Sequence, residues 1–294
     1  MNKKLPVYQR VIIYGVLILI CLICIIPIIT VISISFSTDM AIIKDGYGIL
    51  PKGFTLEAYK YVLKDMESIL RSYGISIFVT VTGCVLGLSF NAMIAYVLSR
   101  KDYKYKKQLT VFLIIPMVLN GGLVPTYIWI TKYLHLKNTI WVMILPMLIV
   151  PWFIILLRTF FSQIPSSLIE AATVDGASEL TIFVKIVLPL AKPALATVGM
   201  FITLNYWNDW FQPLMYIDNS ELYNLQYRLY ILMRDVQEMI KNSSISGMGI
   251  SIADLPTESM RMAMCVIAAG PMLVIFPFFQ KYFVKGLTVG GVKG

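Results

Sequence analysis

This sequence is short of the residues that do chemistry. Of its 294 residues one is histidine, four are cysteine and 14% are charged. A soluble domain carries about 25% charged residues. Catalysis usually needs a nucleophile with its base, paired carboxylates or a cluster of metal ligands, and nearly charge-free stretches leave little room for them. His135 stands alone in a short interval between apolar runs. Cys21, Cys24, Cys84 and Cys265 all lie inside apolar runs, and no further Cys or His stands at metal-ligand spacing. The Cys21-x-x-Cys24 pair therefore reads as small apolar side chains on a helix. No metal ligands and no catalytic residues are expected. The phosphate-cradling pattern G-x-x-x-x-G-K-[ST] is also missing, so the chain itself should neither bind nor hydrolyse ATP.

What fills the sequence is apolar. Hydrophobic residues make up 58% of it, and the mean hydropathy is +0.76. Windows 11–38, 72–99, 108–131, 138–157 and 262–280 carry no charge, and 193–217 carries only Asp209. A bilayer core of about 30 Å takes about 20 helical residues. The expectation is an all-α integral membrane protein with six transmembrane helices, at about 11–36, 72–99, 109–131, 139–157, 193–217 and 262–280. A spanning barrel would alternate polar and apolar residues, which these runs do not. The first run exceeds the 7–15 residues of a signal-peptide core and should remain as helix one.

Lys and Arg set the orientation. With the N-terminus inside, the inner segments hold Lys3, Lys4, Arg10, Arg100, Lys101, Lys104, Lys106, Lys107, Arg158, Lys185, Lys192, Lys281, Lys285 and Lys293. Against them stand only Asp102, Glu170, Asp175 and Glu179. The outer segments balance. Both termini are thus expected in the cytoplasm, and the net charge of +9 reflects orientation rather than a nucleic-acid partner.

The intervals between spans differ in character. Residues 54–71, outside, place Leu56, Tyr59, Val62, Leu63, Met66 and Leu70 at helical spacing, as an amphipathic helix leading into the second span. The outer loop of about 218–261 ends in the Ser/Gly-rich stretch NSSISGMGIS, the composition of a flexible loop. The inner loop of about 158–192 is the most patterned. Ser167 and Glu170 stand at capping-box spacing. Gly176 permits the positive φ that ends a short helix. Ser178 can cap a second short helix through Phe183 and Ile186, stopped at Pro189. Gly83-x-x-x-Gly87, in the second span, allows close helix packing.

Residues Asn205-Tyr206-Trp207-Asn208-Asp209-Trp210 interrupt the fifth span. A carboxylate at a helix centre costs about 2.5–3.5 kcal/mol, so Asp209 should face the bundle interior or lie near the outer end. Aromatic faces beside amides and a carboxylate suit a sugar-conducting pathway. They equally suit an interfacial aromatic belt with helix-packing hydrogen bonds, and the sequence leaves both open.

The inner loop, EAATVDGASELTIFVKIVLP at 170–189, matches the EAA loop of binding-protein-dependent (type I) ABC importer permeases at Glu170, Ala171, Ala172, Gly176, Ile186, Leu188 and Pro189. The resemblance extends through Ile115-Pro116, Gly121-Gly122, Asn138–Trp141, Phe160-Phe161, Ile164-Pro165, Trp207–Trp210 and the closing residues 286–294. Over this length the chain resembles the carbohydrate-uptake branch, in the subgroup related to maltodextrin permease G and nearer to permeases of complex oligosaccharides. It departs at Arg71-Ser72-Tyr73, where relatives commonly carry Asn-Ser.

The resemblance implies a single permease domain over 1–294 that pairs with a second homologous permease subunit. It further implies two cytoplasmic ABC ATPase subunits that hold the ATP and Mg, and an extracellular or periplasmic solute-binding protein. Glu170, Ala171, Ala172, Asp175 and Gly176 would couple to an ATPase cleft. Ser243, Ser246, Gly247 and Gly249 would form the tip of the outer loop against the binding protein, or a plain linker. The carbohydrate substrate would be an oligosaccharide. The alternatives are an ion-coupled secondary sugar transporter, disfavoured by the scarcity of midplane ionisable groups, and an ABC permease for a non-sugar solute.

Overall fold

The computed structural model describes residues 6–119, 121–246 and 257–290. Among these the chain is helical, apart from one isolated antiparallel bridge between Ser37 and Phe54. Three helices are long and apolar enough to cross a membrane: Tyr8–Ser35, Glu57–Ser99 and Thr257–Gln280. Three further spans arise only if each of three bent helix pairs counts as one.

The chain divides into two compact units. The first comprises Met1–Glu67 with Leu229–Pro271. Within it, α1 (Val7–Ser35) is apolar on every face and exposed along most of its length. A short α2 (Asp39–Asp45) follows, ending at Gly46 with φ +70°. The Lys52 Nζ donates to the carbonyl oxygens of Asp45 and Gly46, where a helix C-terminus favours a cation. Then come α3 (Glu57–Val62) and a 3₁₀ turn. The expected helix over 54–71 is present from Glu57 and runs through the 3₁₀ turn into the second span, but its buried residues are Ala58, Val62 and Ile69, while Leu56, Met66 and Leu70 stay exposed. Phe36 stacks between Phe54 and Tyr59 and fixes this excursion to the end of α1.

The second unit comprises Ser68–Arg228 with Met272–Gly294 and holds the main core. Its centre is α4 (Met66–Ser99). The glycines of Gly83-x-x-x-Gly87 do what close packing requires. A β-carbon at Gly83 would lie 2.5 Å from ring atoms of Tyr206, and one at Gly87 would lie 3.4 Å from the Leu148 carbonyl oxygen. Next in the chain are α5 (Lys106–Val118) and α6 (Leu123–Ile128), the latter running into a π-helical turn, Trp129–Tyr133. The fourth expected span is split: two 3₁₀ turns within Ile140–Met147 meet α7 (Pro151–Phe161) at 48°.

Breaking a helix inside lipid frees backbone groups that water cannot reach, so protein groups must satisfy them. Asn91, fully buried on α4, does this at the 148–150 break. Its Nδ2 donates to the Leu148 carbonyl at 2.9 Å, and its Oδ1 accepts from the Val150 N–H at 3.0 Å.

Candidate functional site

Within the patterned loop of about 158–192 the first helix is α8 (Ser166–Val174), whose N-cap position is Pro165. No side chain caps it, so the Ser167–Glu170 capping box does not form. Proline with its fixed φ lets the helix start two residues earlier than that box requires, and Glu170 is left in mid-helix with an exposed side chain. No residue of α8 is buried. Val174 is 88% exposed, and Leu168 lies open as well.

The C-terminus of α8 is closed tightly. The Gly176 N–H bonds to the Thr173 carbonyl at 3.1 Å and the Ala177 N–H to the Ala172 carbonyl at 2.9 Å, the paired bonds of a Schellman motif. Gly176 supplies the left-handed residue, φ +80°. Asp175 is the exposed C-cap residue. Ala172 and Ala177, half-buried, pack toward the core, while Ala171 stays exposed.

Ser178 then caps α9 (Glu179–Ile182), accepting from the Thr181 N–H at 3.3 Å. The second short helix does not stop at Pro189. It passes through a π-helical turn, Phe183–Val187, into α10 (Leu188–Leu190). The wider turn leaves room for a proline ring that a regular helix would expel. After Ala191 the chain turns by 85° into α11 (Lys192–Trp207). Ile182, Phe183 and Val187 are buried, so this half of the loop is seated in the core, whereas α8 touches it only through the half-buried Ile169 and Ala172.

Glu179 seats it further. Its Oε1 accepts from Arg100 Nη2 at 3.1 Å, and its Oε2 accepts from the Tyr96 hydroxyl. Tyr96 and Arg100 are one turn apart near the end of α4. The ring of Phe183 lies 5.1 Å from that of Tyr96.

The 205–210 constellation sits where α11 ends and α12 (Phe211–Tyr216) begins. Its members separate. Tyr206 and Trp207 are buried; the Tyr206 hydroxyl donates to the Ile144 carbonyl at 2.9 Å, and Trp207 lies beside Tyr73. Asp209, 9% exposed, accepts from the N–H groups of Phe211 and Gln212, both at 3.1 Å, and so satisfies the open end of α12. Asn205, Asn208 and Trp210 remain exposed.

The loop of about 218–261 is helical over much of its described length. Asn224, buried, accepts from the Tyr227 N–H at 3.0 Å, and its Nδ2 donates to the Asp209 carbonyl. The Ser76 hydroxyl accepts from the Leu225 N–H at 2.8 Å. These bonds launch α13 (Leu225–Ser246), 22 residues long. Ser243 and Ser246 belong to α13, whereas Gly247 and Gly249 lie outside the described residues. The last helix is α14 (Thr257–Gly290), to which the Asp39 carboxylate contributes an acceptor for the Ser259 N–H at 2.9 Å.

Sequence reasoning missed Asn91, Glu179 and Asn224 as organising residues. For Asn91 a signal existed: an amide in an uncharged span needs a partner. Glu179 and Asn224 had no such mark.

α8 is thus a short, largely exposed helix closed by a Schellman motif between apolar segments. Residues 104–289 match the family model described as "Binding-protein-dependent transport system inner membrane component". The chain belongs to this family. It is a permease component of the cell membrane, and permeases of this family are transporter subunits rather than enzymes. The permease is 40% identical over 260 residues to Protein LplC of Bacillus subtilis (strain 168), covering 88% of this chain and 86% of that one. It is 37% identical over 287 residues to the polygalacturonan/rhamnogalacturonan transport system permease protein YtcP of the same organism, covering 96% and 97%. A solved bacterial ABC transporter involved in the import of the acidic polysaccharide alginate contains a chain that superposes with a TM-score of 0.77 at 29% identity, over 96% of this permease and all of that chain. The permease thus has the ABC-importer permease fold, and membership of this family replaces the ion-coupled secondary transporter.

Proposed function

We propose that this permease forms half of the translocation pathway of an ATP-driven importer of oligosaccharides, and that α8 couples it to a cytoplasmic ATPase subunit. The observation that carries the coupling is the state of α8. Its side chains are unburied, its end is locked by the Gly176 elbow, and Val174 and Leu168 are offered outward. Small Ala171 lets a cleft wall approach the backbone. Glu170 is free to meet a cation there, and such a charge-assisted contact is worth about 1.5–3 kcal/mol when shielded from water.

The remaining assembly follows the family pattern: a second homologous permease subunit, two ATPase subunits carrying ATP and Mg, and an external solute-binding protein. The six-span arrangement with both termini cytoplasmic rests on the basic residues of the inner segments, with each bent pair counted as one span. Asn205, Asn208 and Trp210 are the members of the constellation open to a passing sugar, whereas Tyr206, Trp207 and Asp209 shape the wall behind them. Ser243 and Ser246, near the end of α13, with Gly247 and Gly249 beyond the described residues, are the positions we assign to contact with the binding protein.

An oligosaccharide cargo is supported by relatives named for polygalacturonan/rhamnogalacturonan and arabinooligosaccharide transport and for alginate import. The test is to co-purify the complex, reconstitute it with its binding protein, and screen neutral and acidic oligosaccharides for stimulation of ATP hydrolysis. Stimulation by one oligosaccharide class is expected. Stimulation only by a non-sugar solute would contradict the cargo reading.

A further inference from the structure

The exposed α8 and the spans of the permease are joined by the short stretch Gly176–Leu190, and a load applied to α8 must cross it. One route is covalent, through the π-helical turn and the 85° bend into α11. That route is compliant: it contains a left-handed glycine, a widened turn and a sharp corner, each a place where rotation about backbone bonds can absorb displacement. A second route lies across the loop. Glu179, the first residue of α9, is held by Tyr96 of α4 and by Arg100, the residue that follows α4, one on each carboxylate oxygen.

Those groups are well placed to hold it. Tyr96 is 7% exposed and the Arg100 side chain 18%, so neither has ready access to water as a replacement partner. The same Arg100 Nη2 also donates to Asp102 at 3.1 Å, so the guanidinium is shared between two carboxylates. Ordinary exposed ion pairs contribute little. Here the asymmetry matters instead, because removing the carboxylate leaves the buried Tyr96 hydroxyl without its acceptor and the guanidinium with Asp102 alone. Phe183 packs on Tyr96 next to the carboxylate, so the clamp has an apolar backing.

We infer that Glu179 is a positioning residue that latches the coupling loop to the cytoplasmic end of α4, so that displacement of α8 is delivered to α4 as well as to α11. This rests on the reading of α8 as the ATPase-coupling helix. Glu179 would touch neither sugar nor nucleotide; it would act by keeping α9 and α4 moving together. Glu170, in contrast, would act at the ATPase surface itself.

The experiment uses the complete reconstituted importer and measures sugar transported per ATP hydrolysed, with the amount of assembled complex measured alongside. Glu179→Ala is expected to lower that ratio by about tenfold, the size of one lost charge-assisted contact, at unchanged assembly. Glu179→Gln, which keeps an acceptor of the same length, should lie between it and the native chain. Exchanging the pair, Glu179→Arg with Arg100→Glu, should recover part of the ratio lost in the single Glu179→Arg variant. An unchanged ratio in Glu179→Ala overturns the inference. So does a loss of uptake that only matches a loss of assembled complex and is not relieved by the exchange. Glu170→Ala is run in parallel. If it uncouples while Glu179→Ala does not, the latch alone fails. If Glu170→Ala leaves the ratio intact, the coupling reading fails and the latch with it.

Discussion

The polar residues of α8 and those of 205–210 interrupt the apolar sequence in similar ways and fold in opposite ones. In α8, Glu170 and Asp175 are exposed, and no side chain of the helix is buried. In 205–210 the three residues with most to offer a ligand, Tyr206, Trp207 and Asp209, are turned inward, with Tyr206 bonded to Ile144 and Asp209 bonded to the start of α12. A polar pattern that the fold itself uses explains its own presence. A polar pattern that the fold leaves open asks for a partner. On the function proposed, the difference separates the coupling surface, on α8, from a wall whose polar groups serve first to hold the helices together.

The largest effect expected is that of Gly176→Pro. Proline holds φ near −65°, far from the +80° observed, and removes the N–H that bonds to Thr173. The local cost is about 3 kcal/mol or more, enough to redirect α8. Uptake should be lost while the chain still accumulates in the membrane, as measured by immunoblot and transport assay. Normal uptake would erase the distinction drawn for α8.

On the buried side, Gly83→Val should destabilise by about 1–3 kcal/mol through overpacking against the Tyr206 ring. Thermal unfolding in detergent reads this. Here stability and uptake should fall together, which is the opposite signature to that of Gly176→Pro.

Asp209→Ala comes next. It removes an acceptor for two N–H groups, a loss of about 1 kcal/mol by analogy with helix caps. Uptake is expected to fall more than membrane assembly does, because the end of α12 beside Trp210 would shift. Unchanged uptake would confine Asp209 to packing. Asp209→Asn keeps the acceptor and should restore stability.

The smallest effect belongs to the surface pair Lys137–Asp218, 2.8 Å apart. The hydrogen bond from Lys137 holds the Asp218 carboxyl below its ordinary value of 3.8, and that same bond raises Lys137 above 10.5. A carboxylate with a lowered folded pKa contributes stability that is present above 3.8 and lost as pH falls through the lowered value. A lysine with a raised folded pKa contributes stability present below 10.5 and lost as pH rises through the raised value. Lys137→Ala should therefore change thermal stability slightly near neutrality and not at all in strong acid. Added salt should shrink the difference.

Much of α8 was legible in the sequence because its signals are local. Gly176 and Ser178 carry backbone preferences that act within three residues, and both fold as expected. The capping box failed because Pro165 competes for the same helix start, a choice that spacing alone does not decide. The spans were legible as apolar windows, but their breaks were not. The break near Leu148 is tolerable only because Asn91, almost sixty residues away, meets the freed backbone groups. The start of α13 was not legible, because Asn224 and Ser76 meet its first N–H groups through contacts the local sequence does not display, and the Ser/Gly-rich stretch lies partly outside the described residues. In 205–210 the sequence showed which residues gather but not which turn inward, since that depends on the space opened at Gly83.

The most direct test is a cross-link from α8. A photoreactive maleimide on Val174→Cys, in a background with Cys21, Cys24, Cys84 and Cys265 replaced, is irradiated in the assembled importer, with Trp210→Cys as the comparison. The account predicts an adduct with the ATPase subunit from position 174 and none from position 210. No ATPase adduct from position 174, or equal ATPase adducts from both positions, would contradict it.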